Sequence, residues 1–364
     1  MVSISFVHRC DVEAPMATPL SPTTKGAKAR TNWVTMEDVA IRAQVSKITV
    51  SRVLRAPEKV RAETRERVLA AVRDLGYVPD DAAGALTTRS SKIVAALIST
   101  LEGSTFASTV DGLSRNLRAA GYQLLLATTD YSPEREAEIL SMLLRQRPDG
   151  LVMTSSHHTA DALALLKRAQ IPVVELWELP PKPIDSSVGF SNFGAGKAMT
   201  GFLLDRGYRR PAFIGPRAGI DGRVKSRSEG YAAVVSERAA FPPRIITAPE
   251  AVTSLTDGGA SGLVTALERW PDTDCVFCSS DSVALGAISE ARRRNLRVPE
   301  DIAVAGYGDF DLAGNSGLEL TTVRIAGTEI GERAAELILQ RMQGERPQHK
   351  SIDVGFEVVP RASA

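Results

Sequence analysis

No stretch of this 364-residue chain approaches the roughly 18 consecutive apolar residues of a membrane-spanning helix, although 43% of its residues are hydrophobic. A soluble protein with no membrane partner is therefore expected. Cysteine is nearly missing too. Cys10, Cys275 and Cys278 are an odd, scattered set that provides no disulfide framework and suits a reducing compartment. Cys275 and Cys278 have C-x-x-C spacing, but no second pair follows, and on a strand positions i and i+3 face opposite sides. Buried thiols are expected there, with no metal and no cofactor. An export signal is also lacking, because the short apolar start has neither a basic leader nor an adequate hydrophobic region. The expected location is the cytoplasm.

Net charge is almost absent as well, at +1, but its distribution is informative. Residues 1–92 carry 15 Lys/Arg against 10 Asp/Glu, and the remainder 29 against 33, so a basic end precedes an acidic body. A nucleic-acid-binding head on an ordinary sensor would look like this, and so would a bland solvated excess. The length calls for several domains, since single cores rarely grow past roughly 250–300 residues. Residues 1–33 mix Pro, Ser, Thr and small residues without periodicity and read as a disordered extension or an overlong start.

Residues 34–78 are patterned. Thr35, followed three residues later by Asp38, has the spacing of a capping box, and Met36, Val39, Ala40 and Ala43 form one apolar stripe. Ser46 caps a second helix in which Val50, Val53 and Leu54 face inward while Lys47, Ile48, Ser51 and Arg52 face out. A third stripe is formed by Val68, Val72 and Leu75, with Gly76 as its stop. Two short helices joined by a tight turn, the second offering basic side chains, describe a helix-turn-helix. An ordinary helical hairpin would have the same spacing, so the decision rests on residue pattern.

Val34-Thr-Met-Glu-Asp-Val-Ala40 and Ala43-Gln-Val-Ser-Lys-Ile-Thr-Val-Ser-Arg-Val-Leu54 closely resemble the N-terminal signature of the LacI/GalR family of repressors. The likeness continues through Thr64-Arg-Glu-Arg-Val68 to Leu75-Gly-Tyr-Val-Pro79. It implies that Lys47, Ile48 and Arg52 read bases in the major groove: Arg52 by a bidentate contact to guanine, Lys47 at guanine or phosphate, Ile48 against a thymine methyl. Thr35, Ser46, Thr49 and Ser51 are expected to position the domain through phosphates or as caps. Gln44 stands where the family usually has Gly, which predicts a slightly strained turn, and Arg61 where a capping Ser is common.

Residues 79–92 read as a hinge helix and linker, with a plain flexible linker as the alternative. By resemblance Leu86 is a minor-groove wedge that bends the operator. Asp80 and Gly84 replace the usual Asn and Arg, which predicts reduced minor-groove affinity.

From Ile93 to residue 364 short apolar runs alternate with amphipathic helical stretches: Ile93-Val-Ala-Ala-Leu-Ile98, Tyr122-Gln-Leu-Leu-Leu-Ala127, Gly150-Leu-Val-Met153, Phe213-Ile-Gly215, Cys275-Val-Phe-Cys278 and Ile302-Ala-Val-Ala305 are the strand candidates. The rhythm predicts two lobes of parallel sheet covered by helices. The fold class is thus multidomain: an all-α helix-turn-helix head plus a two-lobed α/β sensor. Arg227-Ser-Glu-Gly-Tyr231, Ser280-Asp-Ser-Val-Ala-Leu-Gly286 and Val298-Pro-Glu-Asp-Ile-Ala-Val-Ala-Gly-Tyr307 are similar to landmarks of the periplasmic-binding-protein-like core, so the resemblance covers about residues 34–363.

Ligands in open α/β sheets bind beyond the carboxyl ends of strands. Arg227, Ser280, Asp281 and Asp309 are the effector candidates on that ground, and each also has a structural reading as a cap or ion pair. Val173-Val-Glu-Leu-Trp177, Ile184-Asp-Ser-Ser-Val-Gly-Phe-Ser-Asn192 and Tyr307-Gly-Asp309 resemble the gluconate-repressor branch, which adds Phe190 and implies a sugar or sugar-acid effector such as gluconate. The implied partners are double-stranded operator DNA and a second copy of the chain, as a dimer or a tetramer. An enzyme is the first rival, but Gly194-Ala-Gly196 lacks the third glycine of a dinucleotide fingerprint, no Walker or Gly-x-Ser-x-Gly pattern occurs, and His157-His158 reads as a surface loop without an acidic partner in motif spacing. An exported binding protein is the second, and it would have no use for residues 34–90.

Overall fold

The computed structural model describes residues 33–78 and 90–364, apart from 102–105, 156, 216–221, 250–251, 253, 311, 316, 318 and 346–347. The N-terminal extension, most of the hinge and Leu86 lie outside the described residues. The chain divides into two compact units at residues 80 and 81.

In the N-terminal unit three helices, Met36–Ala43, Lys47–Arg55 and Ala62–Leu75, enclose a small core of Val39, Ala40, Ala43, Val50, Val53, Val68, Ala71 and Tyr77. Local chemistry sets the boundaries. Thr35 accepts a hydrogen bond from the Asp38 amide at 3.3 Å, and Asp38 Oδ2 accepts one from the Thr35 amide at 2.8 Å. The Thr35 amide and hydroxyl hold the Asp38 carboxyl below its ordinary pKa. Ser46 caps the second helix through the Thr49 amide at 3.2 Å. Gly76 ends the third in the left-handed region, at φ 63°. Gln44 ends the first in that same region, at φ 55°, so a residue with a Cβ occupies a glycine conformation. Arg61 makes no side-chain cap, and the third helix begins with its first amides uncapped.

The C-terminal unit contains the two lobes. A six-stranded parallel sheet runs in the order Ser351–Asp353, Ser186–Gly189, Val173–Leu176, Gly150–Met153, Ile93–Ile98, Gln123–Thr128. A four-stranded parallel sheet runs Ile245–Thr247, Pro211–Gly215, Cys275–Cys278, Ala303–Ala305. Central strands are buried on both faces, which is why they read as unbroken apolar runs. Cys275 and Cys278 are buried free thiols, and burial pushes both pKa values up.

The chain passes between the lobes three times, at residues 190–191, 325–326 and 354–356. Across the second lobe the helices Asn192–Asp205 and Gly222–Arg238 pack through a pair of glycines: a Cβ on Gly196 would collide with the Arg227 carbonyl oxygen, and one on Gly230 with that of Phe193. This contact fixes the depth at which Arg227 sits. Among the described residues no helix is long and apolar enough to cross a membrane.

Candidate functional site

On the head, the outward side of the Lys47–Arg55 helix forms one wall of a shallow groove lined by Met36, Lys47, Ile48, Ser51, Arg52, Arg55, Ala56 and Lys59. Ile48 is 70% exposed, an isolated apolar side chain among cations. Lys47 Nζ lies 2.8 Å from Glu37 Oε2, whereas the Arg52 side chain has no ion pair or hydrogen bond among the described residues. Thr49 is half-buried, and its hydroxyl is 3.0 Å from the Ser46 hydroxyl, so this pair serves the helix start. Thr35 and Ser46 are both exposed caps at helix N-termini, and Ser51 faces the groove. The arrangement suits a polyanion approached by the helix's first turns. Arg55 and Lys59 share the groove although the sequence reading passed over them. A basic residue three positions after Arg52 was the available signal.

In the body the expected effector residues separate. Ser280 caps the Asp281–Arg293 helix by accepting from the Val283 amide at 3.3 Å, so the cap is Ser280 and not Asp281. Asp281 is buried and accepts from the Thr322 hydroxyl at 2.6 Å and from the Phe310 amide at 2.9 Å. Burial outweighs these bonds and pushes its pKa up to about 6. Asp309, expected as an acceptor for hydroxyls or as an ion-pair partner, is an ion-pair node: it receives Arg324 Nε at 2.6 Å and Arg361 Nη2 at 2.7 Å, at a left-handed φ of 54°. With Tyr307, Arg324, Thr328 and Glu332, these three residues line a cleft of about 720 Å³.

Arg227 is not in the lining of that cleft. It is buried behind it, donating to Asn192 Oδ1 at 2.5 Å and to the Ser279 carbonyl at 3.1 Å, with its guanidinium 3.8 Å from the centroid of the Tyr307 ring. The Tyr307 hydroxyl shares Asn192 Oδ1, at 3.1 Å. Arg227 therefore reaches the cleft through Tyr307. Phe190 is placed differently again: its ring is 1% exposed and packs edge-on against Trp177 and Phe356, so it holds the first interlobe crossing against the third.

A second cavity, of about 180 Å³, was not foreseen. Its walls stand at the carboxyl ends of first-lobe strands: Ser99, Thr129, Tyr131, Thr154, Ser155 and Glu178. Arg223 from the second lobe enters it, donating to the Thr154 carbonyl at 2.7 Å and the Ser99 hydroxyl at 2.8 Å over the Phe106 ring. The His pair also differs from expectation. His157 is exposed, but His158 is buried, with Nδ1 2.7 Å from Glu136 and Nε2 3.5 Å from Glu175. Those carboxylates lie 22 and 17 positions away, beyond any local motif. Burial opposes the imidazolium, but the two glutamates outweigh it and push the His158 pKa up to about 9. Among the described residues no cluster of His, Cys, Asp or Glu could hold a metal ion.

Comparison with known proteins agrees with this two-part layout. Residues 35–80 match the profile of bacterial regulatory proteins, lacI family, and residues 200–364 that of a periplasmic binding protein-like domain. The chain is 35% identical over 328 residues to the HTH-type transcriptional regulator GntR of Escherichia coli (strain K12), covering 90% of this chain and 98% of the relative. A LacI family transcriptional regulator from Silicibacter pomeroyi superposes with a TM-score of 0.83 at 33% identity, covering 91% and 99% of the two chains. The transcriptional regulator CelR in complex with cellobiose superposes with a TM-score of 0.66 at 29% identity, covering 91% and 100%. These relatives are named as transcriptional regulators and not as enzymes. With a relative more than 30% identical across nine-tenths of its length, a helix-turn-helix head and a two-lobed parallel α/β body, the chain belongs to the LacI family of DNA-binding bacterial transcriptional regulators.

Proposed function

We propose that this regulator is a cytoplasmic repressor that binds a palindromic operator as a homodimer, with its grip on DNA set by a sugar or sugar acid in the body. The observation that carries the DNA half is the groove in which exposed Ile48 and unpaired Arg52 stand beside further cations with no carboxylate in its lining. One recognition helix per chain favours two half-sites related by two-fold symmetry, which a dimer satisfies without a tetramer.

The effector half rests on the two body cavities. Ser280, Asp281 and Asp309 face the wider one, but the two aspartates are already engaged by Thr322 and Arg324, and the Ser280 hydroxyl caps a helix. The narrower one sets several hydroxyls beside the Arg223 guanidinium, an arrangement that matches a polyhydroxylated carboxylate such as gluconate. The cellobiose bound by CelR supports a carbohydrate as the ligand class. In this reading Arg227 is a positioning residue acting through Tyr307, and no cofactor takes part.

The test joins both halves. Ligand-induced thermal shifts over a panel of sugars and sugar acids identify the effector, since binding stabilises the native state by mass action. Arg223→Gln is expected to abolish the shift while leaving operator affinity unchanged. Arg52→Ala is expected to lose about 1–3 kcal/mol, concentrated at one base pair per half-site. An unaltered shift in the first variant, or a loss spread evenly over all operator positions in the second, would overturn the corresponding assignment.

A further inference from the structure

We infer that Asp149 is a clasp that fixes the point where the linker joins the body, and so sets the separation of operator half-sites that the regulator accepts; the inference rests on the dimeric DNA-binding reading. Both oxygens of the Asp149 carboxylate are spent on consecutive residues ahead of the first strand. Oδ2 accepts from the Ser90 hydroxyl at 2.5 Å and the Lys92 amide at 3.0 Å, and Oδ1 from the Ser91 amide at 3.0 Å and the Ser91 hydroxyl at 3.4 Å.

The same residues are held from the other side. The Lys92 carbonyl accepts from the Gln123 amide at 2.8 Å, and Lys92 Nζ lies 4.4 Å from the centroid of the Tyr122 ring. Asp149 is itself fixed, because its amide donates to the Ile93 carbonyl at 2.8 Å and the next residue, Gly150, pairs with Val94. Lys92 takes a left-handed φ of 57°, which turns the chain sharply as it enters the strand. Residues 90–92 thus belong to the body, and the linker proper is shortened to 79–89. Satisfying the amides at a strand entrance would account for the contacts to Ser91 and Lys92, and water does that at a half-exposed site. It leaves unexplained the charge-assisted bond to the Ser90 hydroxyl, one step further along the linker.

Chain reach turns the clasp into a specificity. Releasing residues 90–92 adds about 10 Å of reach at about 3.3–3.6 Å per residue, and base pairs rise by about 3.4 Å, so a released head serves half-sites displaced by up to about three base pairs. Half-site spacing otherwise follows the geometry of the dimer.

The probe is a palindromic duplex selected by the full chain from a random pool, then remade with its half-sites one or two base pairs closer together or farther apart. The wild-type chain should lose affinity at every altered spacing. Asp149→Ala should cut that penalty about tenfold, in keeping with the loss of hydrogen bonds to a charged group, and leave binding to random duplex unchanged. Asp149→Asn, which keeps a single acceptor oxygen, should fall between the two. Ser90→Ala leaves the strand's amides bonded and should cut the penalty about threefold, so it decides the matter even where the Asp149 variants fold poorly. A wild-type spacing penalty in Asp149→Ala and Ser90→Ala, or an affinity loss equal at every spacing, overturns the clasp. A wild-type chain that binds a lone half-site as tightly as the palindrome would instead overturn the dimeric reading, so the two failures are distinct.

Discussion

Glu37 Oε2 lies 2.8 Å from the Nζ of Lys47, so the first cation of the recognition helix is already partnered on the head. Both side chains are more than half exposed, so the pair itself adds little stability. Its consequence lies in competition: Lys47 must leave Glu37 to reach a base or phosphate, and the carboxylate then repels the DNA. Glu37→Gln is expected to tighten binding to specific and random duplexes alike by about two- to fivefold, consistent with an exposed pair of about 0.3–1 kcal/mol. Titration at low salt checks this, and weaker binding by the variant would contradict it.

Two positions at the ends of the head's helices have left stability unclaimed. Gln44 adopts φ 55°, where a side chain is strained, and Arg61 precedes a helix without capping it. Gln44→Gly should stabilise the head by about 0.5–1 kcal/mol, and Arg61→Ser by about 1 kcal/mol. The effects should add, because the residues serve different helices. Hydrogen exchange of the Val50 and Val53 amides in the full chain reads the gain directly. Faster exchange in either variant would show that these termini are not the weak points.

The buried Glu136–His158–Glu175 cluster gives the first lobe a pH-dependent stability. The folded pKa of His158, about 9, is raised above its ordinary 6.5, so its contribution is fully present below pH 6.5 and is lost as pH rises through 9. His158→Gln leaves two buried carboxylates without their cation and should cost about 3–5 kcal/mol at pH 6. The deficit should narrow steadily between pH 6.5 and 9. Urea unfolding across that range provides the check, and a pH-independent deficit would mean that packing alone holds His158.

The features legible in the sequence were those governed by neighbours along the chain. Thr35, Asp38 and Ser46 announce their caps within three residues, and the buried strands show themselves as apolar runs. Position relative to a strand end was legible too, which brought Ser280, Asp281 and Asp309 to one cleft. Partners were not. Asp309 meets Arg324 and Arg361, and His158 meets Glu136 and Glu175, only because the sheet order folds distant segments together. Phe190 illustrates the remaining limit: its place after a strand was readable, but the side to which its ring turns depends on Trp177 and Phe356.

The three crossings between lobes constrain mechanics as well as connectivity. A single tether would let one lobe swing, twist and slide against the other. Three separate covalent links remove most of that freedom, because twisting or sliding must lengthen at least one of them, whereas bending about the line they share needs only a few backbone torsions to change. The Phe190–Phe356 contact, with ring centroids 6.4 Å apart, ties two of the links side by side and narrows the choice further. Relative motion of the two lobes is thus confined to one coordinate, their opening about that line.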